Sequence, residues 1–160
     1  MWYRQYQLWS TVRVRLLAST DFALRVLLRL AADPQSHRST EVLARDVGVP
    51  RNHVHKIVQE LAAMGLVRTL RGARGGVLLA RPPAEITLGE VVRRLEADQA
   101  LVECFRADGG ACCLSADCRL RGVLARAREA FLALMDRSTI ADCLAPDFPF
   151  SPNMVGDAAG

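Results

Sequence analysis

The chain has 160 residues, a formal net charge of +4 and 51% hydrophobic residues, which supplies apolar material for a packed core and excludes wholesale disorder. No apolar run reaches the ~20 residues that a membrane-crossing helix needs, and the first residues lack the apolar stretch and cleavage site of a secretory signal, so the expectation is a cytoplasmic protein without a membrane partner. In a reducing cytoplasm, the five cysteines point to metal or redox chemistry rather than to a disulfide framework.

Residues 1–13 hold both tryptophans and both tyrosines and stand apart from the rest of the chain. They read as an N-terminal extension, either an added arm or the product of a wrongly assigned start. Regular patterning begins near Val14. From Asp21 to Ala32 the chain is strongly apolar, with Arg25 and Arg29 one turn apart, which predicts a largely buried helix with a narrow polar edge, ended by Asp33-Pro34. Ser39 is placed to cap a second helix that stops at Gly48. Pro50 suits the first position of a third helix. Val54, Ile57, Val58, Leu61 and Met64 share one face of it, Arg51, Asn52, His55 and Lys56 lie away from that face, and Gly65 ends it. Two short helices joined at Gly48-Val49, the second with a basic front, predict a helix-turn-helix.

Two strand-like runs, Leu66–Leu70 and Val77–Arg81, flank Arg71-Gly72-Ala73-Arg74-Gly75-Gly76. Glycines allow a tight hairpin turn, so this is a wing with Arg71 and Arg74 at its tip, where they can meet phosphates or enter a minor groove. The turn lacks the spacing and the Lys-Ser/Thr ending of a phosphate loop. Between Arg38 and Arg81, eight basic residues stand against three acids. That segment holds the whole positive excess of the chain, as a nucleic-acid face requires. Residues 14–82 are therefore expected to form a winged-helix unit that binds double-stranded operator DNA. Its candidate contacts are Ser39 and Thr40 at the start of the second helix, Arg51, Asn52, His53, His55 and Lys56 on the third, and Arg71 and Arg74 in the wing. Base reading is assigned to Arg51, Asn52, His55 and Lys56.

Residues 83–144 are expected to form a second unit. Thr87-Leu88-Gly89-Glu90 matches a capping box opening a short helix. A long helix over Arg119–Arg137 carries Leu120, Leu124, Ala127, Phe131 and Leu134 at 4-3-4-3 spacing, joined by Val123. This is a coiled-coil seam that predicts a homodimer. The fold class is thus mainly α with a small β-hairpin wing: a winged helix-turn-helix plus a long dimerisation helix. Residues 145–160, rich in Pro, Gly, Asp and Ala, read as a flexible tail. Cys104, Cys112, Cys113 and Cys118 fall within fifteen residues between two helices. Clustered soft thiolates suit zinc, an iron–sulfur cluster or a redox disulfide, and the absence of CxxC knuckles counts against zinc. No paired carboxylates, nucleophile–base pair or substrate-pocket motif accompanies them, so an enzyme is not expected.

Several stretches resemble the NsrR family of nitric-oxide-sensing iron–sulfur repressors. They are Ser19-Thr20-Asp21-Phe22-Ala23-Leu24-Arg25, Gly48-Val49-Pro50-Arg51-Asn52-His53, the wing Arg71-Gly72-Ala73-Arg74-Gly75-Gly76, Leu101-Val102-Glu103-Cys104, and Cys118-Arg119-Leu120-Arg121-Gly122-Val123-Leu124. The resemblance spans about residues 14–144. It implies a homodimeric repressor with one cluster per subunit, held by Cys104, Cys112 and Cys118, that loses its operator when nitric oxide attacks the iron. Where such a cluster is [4Fe–4S], favoured here over [2Fe–2S], Asp21 of the partner subunit is implied as the fourth ligand. The chain departs from the family in an extra Cys113, a longer gap after Cys104 and the aromatic arm. Cys113 leaves an all-thiolate set open. The alternative is an IscR-like [2Fe–2S] or thiol-redox regulator, but no histidine follows Cys118 in the loop, against that branch.

Overall fold

The computed structural model describes residues 15–72, 75–114 and 118–144; the extension 1–13, the tail 145–160 and Arg74 lie outside them. Helix α1 (Ala18–Ala31) turns Thr20, Ala23, Val26, Leu27, Leu30 and Ala31 inward. It begins three residues before the sequence pattern suggests. Leu17, at its N-cap, has no capping side chain, but the carboxylate of Glu96 accepts from the Leu17 N–H at 2.9 Å and from the Thr20 hydroxyl at 2.5 Å. A distant residue thus does what the third residue of a capping box does locally, and the extra turn is stable. Helix α2 (Thr40–Val47) is capped as its sequence predicts: Ser39 Oγ accepts from the Val42 N–H, and Gly48 closes the helix in the left-handed conformation at φ 67°. Helix α3 (Arg51–Ala63) buries Val54, Ile57, Val58 and Leu61. Pro50 is its N-cap and not its first helical residue, with ψ at 137°. A half-buried ion pair, Arg29–Asp46 at 2.7 Å, joins α1 to α2.

Strands β1 (Val67–Leu70) and β2 (Gly76–Leu79) pair antiparallel with Val67 opposite Leu79 and Leu70 opposite Gly76. The hairpin is broader than its two strands. Arg38, just ahead of α2, exchanges backbone hydrogen bonds with Val77 at 2.8 and 2.9 Å. That third strand edge anchors the wing to the helix-turn-helix, and a single bridging residue leaves no periodicity by which a sequence could announce it.

Helix α4 (Leu88–Leu95) starts at Thr87, whose Oγ1 accepts from the Glu90 N–H at 3.1 Å. Glu90 does not complete the box. Its two carboxylate oxygens both accept from Nη2 of Arg81, at the foot of the wing, at 2.8 and 2.9 Å, because a charged guanidinium gives a carboxylate a stronger hydrogen bond than a backbone N–H does. The long helix α5 (Arg119–Asp136) packs on α4, with Arg93 of α4 paired to Asp136, and Leu132 is the buried residue of its 18. The crossing is tight: a Cβ added at Gly89 would lie 2.8 Å from the backbone nitrogen of Asp136. Ile86, Val91 and Ile140 join Leu27, Leu30, Leu61 and Val77 in one continuous core, so α4 and the segment after α5 are seated directly on the helix-turn-helix. Leu120, Val123, Phe131 and Leu134 stay exposed on the other side of α5.

Candidate functional site

Two surfaces carry the candidate residues. The first is the front of α3 and the wing. Arg51, Asn52, His53, His55 and Lys56 are all exposed on α3, set there because Val54, Ile57, Val58 and Leu61 occupy the inward rows of the same helix. Ser39 is exposed and Thr40 half-buried at the start of α2, where free backbone N–H groups favour an anion such as a phosphate. Arg51 and Lys56 make only long, solvent-exposed ion pairs, to Glu41 at 3.8 Å and Glu60 at 4.0 Å, which are weak enough to be exchanged for phosphate. Arg71 stands exposed at the hairpin tip. His53 has an additional contact that the sequence did not suggest. Its ring stacks on Phe22 of α1, with centroids 6.4 Å apart and planes 19° apart, and the Arg25 guanidinium lies 5.7 Å from the centre of the Phe22 ring.

The second surface is a cavity of about 410 Å³ between the loop after α4 and the start of α5. Cys104, Cys112 and Cys118 all line it, and Cys113 does not. Cys104 sits in a single 3-10 turn, Glu103–Phe105, and Cys118 is the N-cap of α5. The loop between Cys104 and Cys112 is folded back on itself. Arg106 pairs with Asp108 at 2.6 Å, Asp108 accepts from the Gly110 N–H at 3.0 Å, and Glu103 accepts from the Ala111 N–H. The Arg106 guanidinium, with help from the Gly110 N–H, holds the Asp108 carboxyl below the usual carboxylate range. Gly110 is required at its place. It has φ 57°, and a Cβ there would come within 2.8 Å of the Glu103 carbonyl carbon. This closure brings Cys112 to the same cavity as Cys104 and leaves its neighbour Cys113 outside.

The donor chemistry fits an iron–sulfur cluster: three soft thiols lining one cavity, together with Val102, Leu114 and Leu124 and the cationic Arg121. Among the described residues no three His, Cys, Asp or Glu side chains are grouped closely enough to hold a single metal ion. Asp21 is on the exposed first turn of α1, paired with Arg25 at 2.6 Å, and does not line the cavity of its own chain. Sequence reading missed Glu103 and Arg121 as lining residues and Glu96 as the cap of α1. For Glu96 one signal existed: Thr20 is a hydroxyl on the apolar stripe of α1, the sole buried polar residue among those described, and such a group needs a partner.

The family model Rrf2, an iron-dependent transcriptional regulator, matches residues 16–146. The transcriptional regulator NsrR of Geobacillus kaustophilus is 46% identical over 78% of this chain and 86% of its own length. That of Bacillus subtilis is 39% identical over 81% and 89%. Among solved structures, IscR from T. potens superposes with a TM-score of 0.65 over 81% of this chain and 85% of that one, and its 22% identity speaks for the fold alone. These relatives are regulators and not enzymes, and the helix-turn-helix with its hairpin is the DNA-binding part of such a protein. No helix among the described residues is long and apolar enough to cross a membrane. The chain belongs to the Rrf2 family of winged-helix transcriptional regulators and, within it, to the NsrR type.

Proposed function

We propose that the chain is a cytoplasmic, homodimeric repressor whose grip on double-stranded operator DNA is controlled by an iron–sulfur cluster that reacts with nitric oxide. The observation that carries the reading is the cavity shared by Cys104, Cys112 and Cys118. In this reading residues 14–82 are the DNA-binding unit and residues 83–144 the cluster-binding and dimerisation unit. When bound, the cluster supplies iron atoms that nitric oxide attacks. The three thiols, as thiolates, hold it. Asp21, exposed and tethered only by Arg25, is free to reach the cavity of a partner subunit. A carboxylate is a harder, more exchangeable ligand than a thiolate, which leaves one iron open to a small diatomic ligand, and it is the resemblance to family members with an aspartate ligand that favours [4Fe–4S] over [2Fe–2S].

On the DNA side, Arg51, Asn52, His55 and Lys56 enter the major groove and read base edges. Ser39, Thr40, His53 and the wing residues Arg71 and Arg74 contact backbone phosphate. The exposed apolar row of α5 closes the dimer, which presents two recognition helices to two half-sites. The reading is tested by anaerobic purification with iron and sulfide quantification. Wild-type protein and Cys113→Ala should carry both elements and visible cluster absorbance, and Cys104→Ala, Cys112→Ala and Cys118→Ala should lose them. Protein isolated without iron or sulfide would overturn it.

A further inference from the structure

The end of α4 touches one end of each of two helices, the C-terminus of α3 and the N-terminus of α1. Arg94 Nη1 donates to the carbonyl oxygen of Met64 at 2.6 Å, and Met64 is the C-cap of α3. Two residues on, Glu96 accepts from the Leu17 N–H and the Thr20 hydroxyl at the start of α1. The polarities match. A helix C-terminus has unsatisfied carbonyls and a partial negative charge, which suits a guanidinium, and a helix N-terminus has the reverse, which suits a carboxylate. Glu90, one turn earlier, lies 3.4 Å from Arg94 and also holds Arg81 at the foot of the wing. Immediately after Glu96 the chain runs into the loop that carries Cys104.

We propose that Arg94 and Glu96 form a two-handed clamp that transmits the state of the cysteine loop to the recognition helix α3 and to α1. They are positioning residues, touching neither the thiols nor the α3 front that faces DNA. The inference rests on the proposed control of operator binding by the cysteine loop. A shift of the loop pulls on the end of α4. Because both grips attach to helix ends, the pull reaches the C-terminus of α3 and the N-terminus of α1 directly, without passing through the shared core.

The test compares operator affinity of the full chain in two forms, loaded with iron and sulfide and stripped by a chelator. Wild type should show a ratio in the range of about 5- to 150-fold typical of coupled sites. Arg94→Gln and Glu96→Ala should bring the ratio below about threefold, on the same scale, with iron and sulfide content unchanged. Arg94→Lys, which still donates to the Met64 carbonyl, should restore most of it. Arg94 is about half exposed, at 48%, so its replacement does not endanger folding and decides the matter even if Glu96→Ala unfolds. Amide hydrogen exchange of the stripped chain gives an independent readout. Residues 18–21 should exchange faster in Glu96→Ala, and residues 63–66 in Arg94→Gln. Ratios that stay at the wild-type value, equal weakening of both forms, or loss of iron in the variants would each overturn the clamp. An iron-loaded wild type that binds the operator no better than the stripped form would instead overturn the proposed control by the cysteine loop.

Discussion

The apolar row on α5 allows the dimer to be tested with a number. Leu134 is 63% exposed and Leu120 is 57% exposed in the single chain. A leucine brought from water into a packed interface is worth about 1.5–3 kcal/mol when buried completely, so the exposed portion of Leu134 has about 1–2 kcal/mol still to gain. A two-fold interface uses the same patch on both subunits, which doubles the figure to about 2–4 kcal/mol. Leu134→Gln removes that gain, keeps a good helix former in place and disturbs no core contact, since the buried row of α5 is represented by Leu132. The dimer dissociation constant should rise about 30- to 1,000-fold, measured by sedimentation equilibrium over a dilution series, with the helical circular dichroism of wild type retained. An unchanged dissociation constant would refute the assignment of this face to the dimer.

Other outcomes depend on single contacts. Gly89→Ala forces a Cβ against the Asp136 backbone and should cost about 1–3 kcal/mol, the usual range for overpacking, read as a lowered thermal midpoint. Thr20→Val removes a hydroxyl from the Glu96 carboxylate without changing the side chain's shape, and urea denaturation should show a loss of about 1–2 kcal/mol, moderated because Glu96 is only half-buried. Arg71→Ala should weaken operator binding at every sequence alike and, through one phosphate contact per subunit, flatten the slope of log affinity against log salt by about 1.8 in the dimer. The Asp142 carboxyl is held below its ordinary range by hydrogen bonds from the Thr139 backbone N–H and then its hydroxyl. Its contribution to stability is therefore present above the unfolded carboxyl value near pH 4 and is lost as pH falls through the depressed folded value. The stability gap between wild type and Asp142→Asn should be constant at neutral pH and close in strong acid.

The DNA-binding half was readable from sequence because its signals are local. Ser39 and Gly48 bracket α2, Val54, Ile57, Val58 and Leu61 recur at helical spacing, and the glycines of the hairpin mark the turn. The same locality explains the shortfalls. The partner of Thr20 is 76 residues away, and no periodicity connects it to Glu96. On α5 the apolar spacing identifies a seam, but Leu132, the buried residue of the helix, belongs to another row. Cys112 and Cys113 are adjacent, and the five-residue interval before Cys118 selects Cys112 only through the resemblance to the family. Their separation depends on how Glu103, Asp108 and Gly110 close the loop, a matter of backbone geometry. The aspartate at position 21 became a candidate ligand through resemblance alone, since an acid in a first helical turn is also explained by the helix dipole.

The most direct test of the central claim follows operator binding and visible absorbance together while nitric oxide is added anaerobically to the iron-loaded protein. Operator affinity should fall in step with the cluster absorbance, and a Cys112→Ala protein, carrying no cluster, should show no response. Bleaching of the absorbance with operator binding undiminished would contradict control of this regulator by its cysteine cavity.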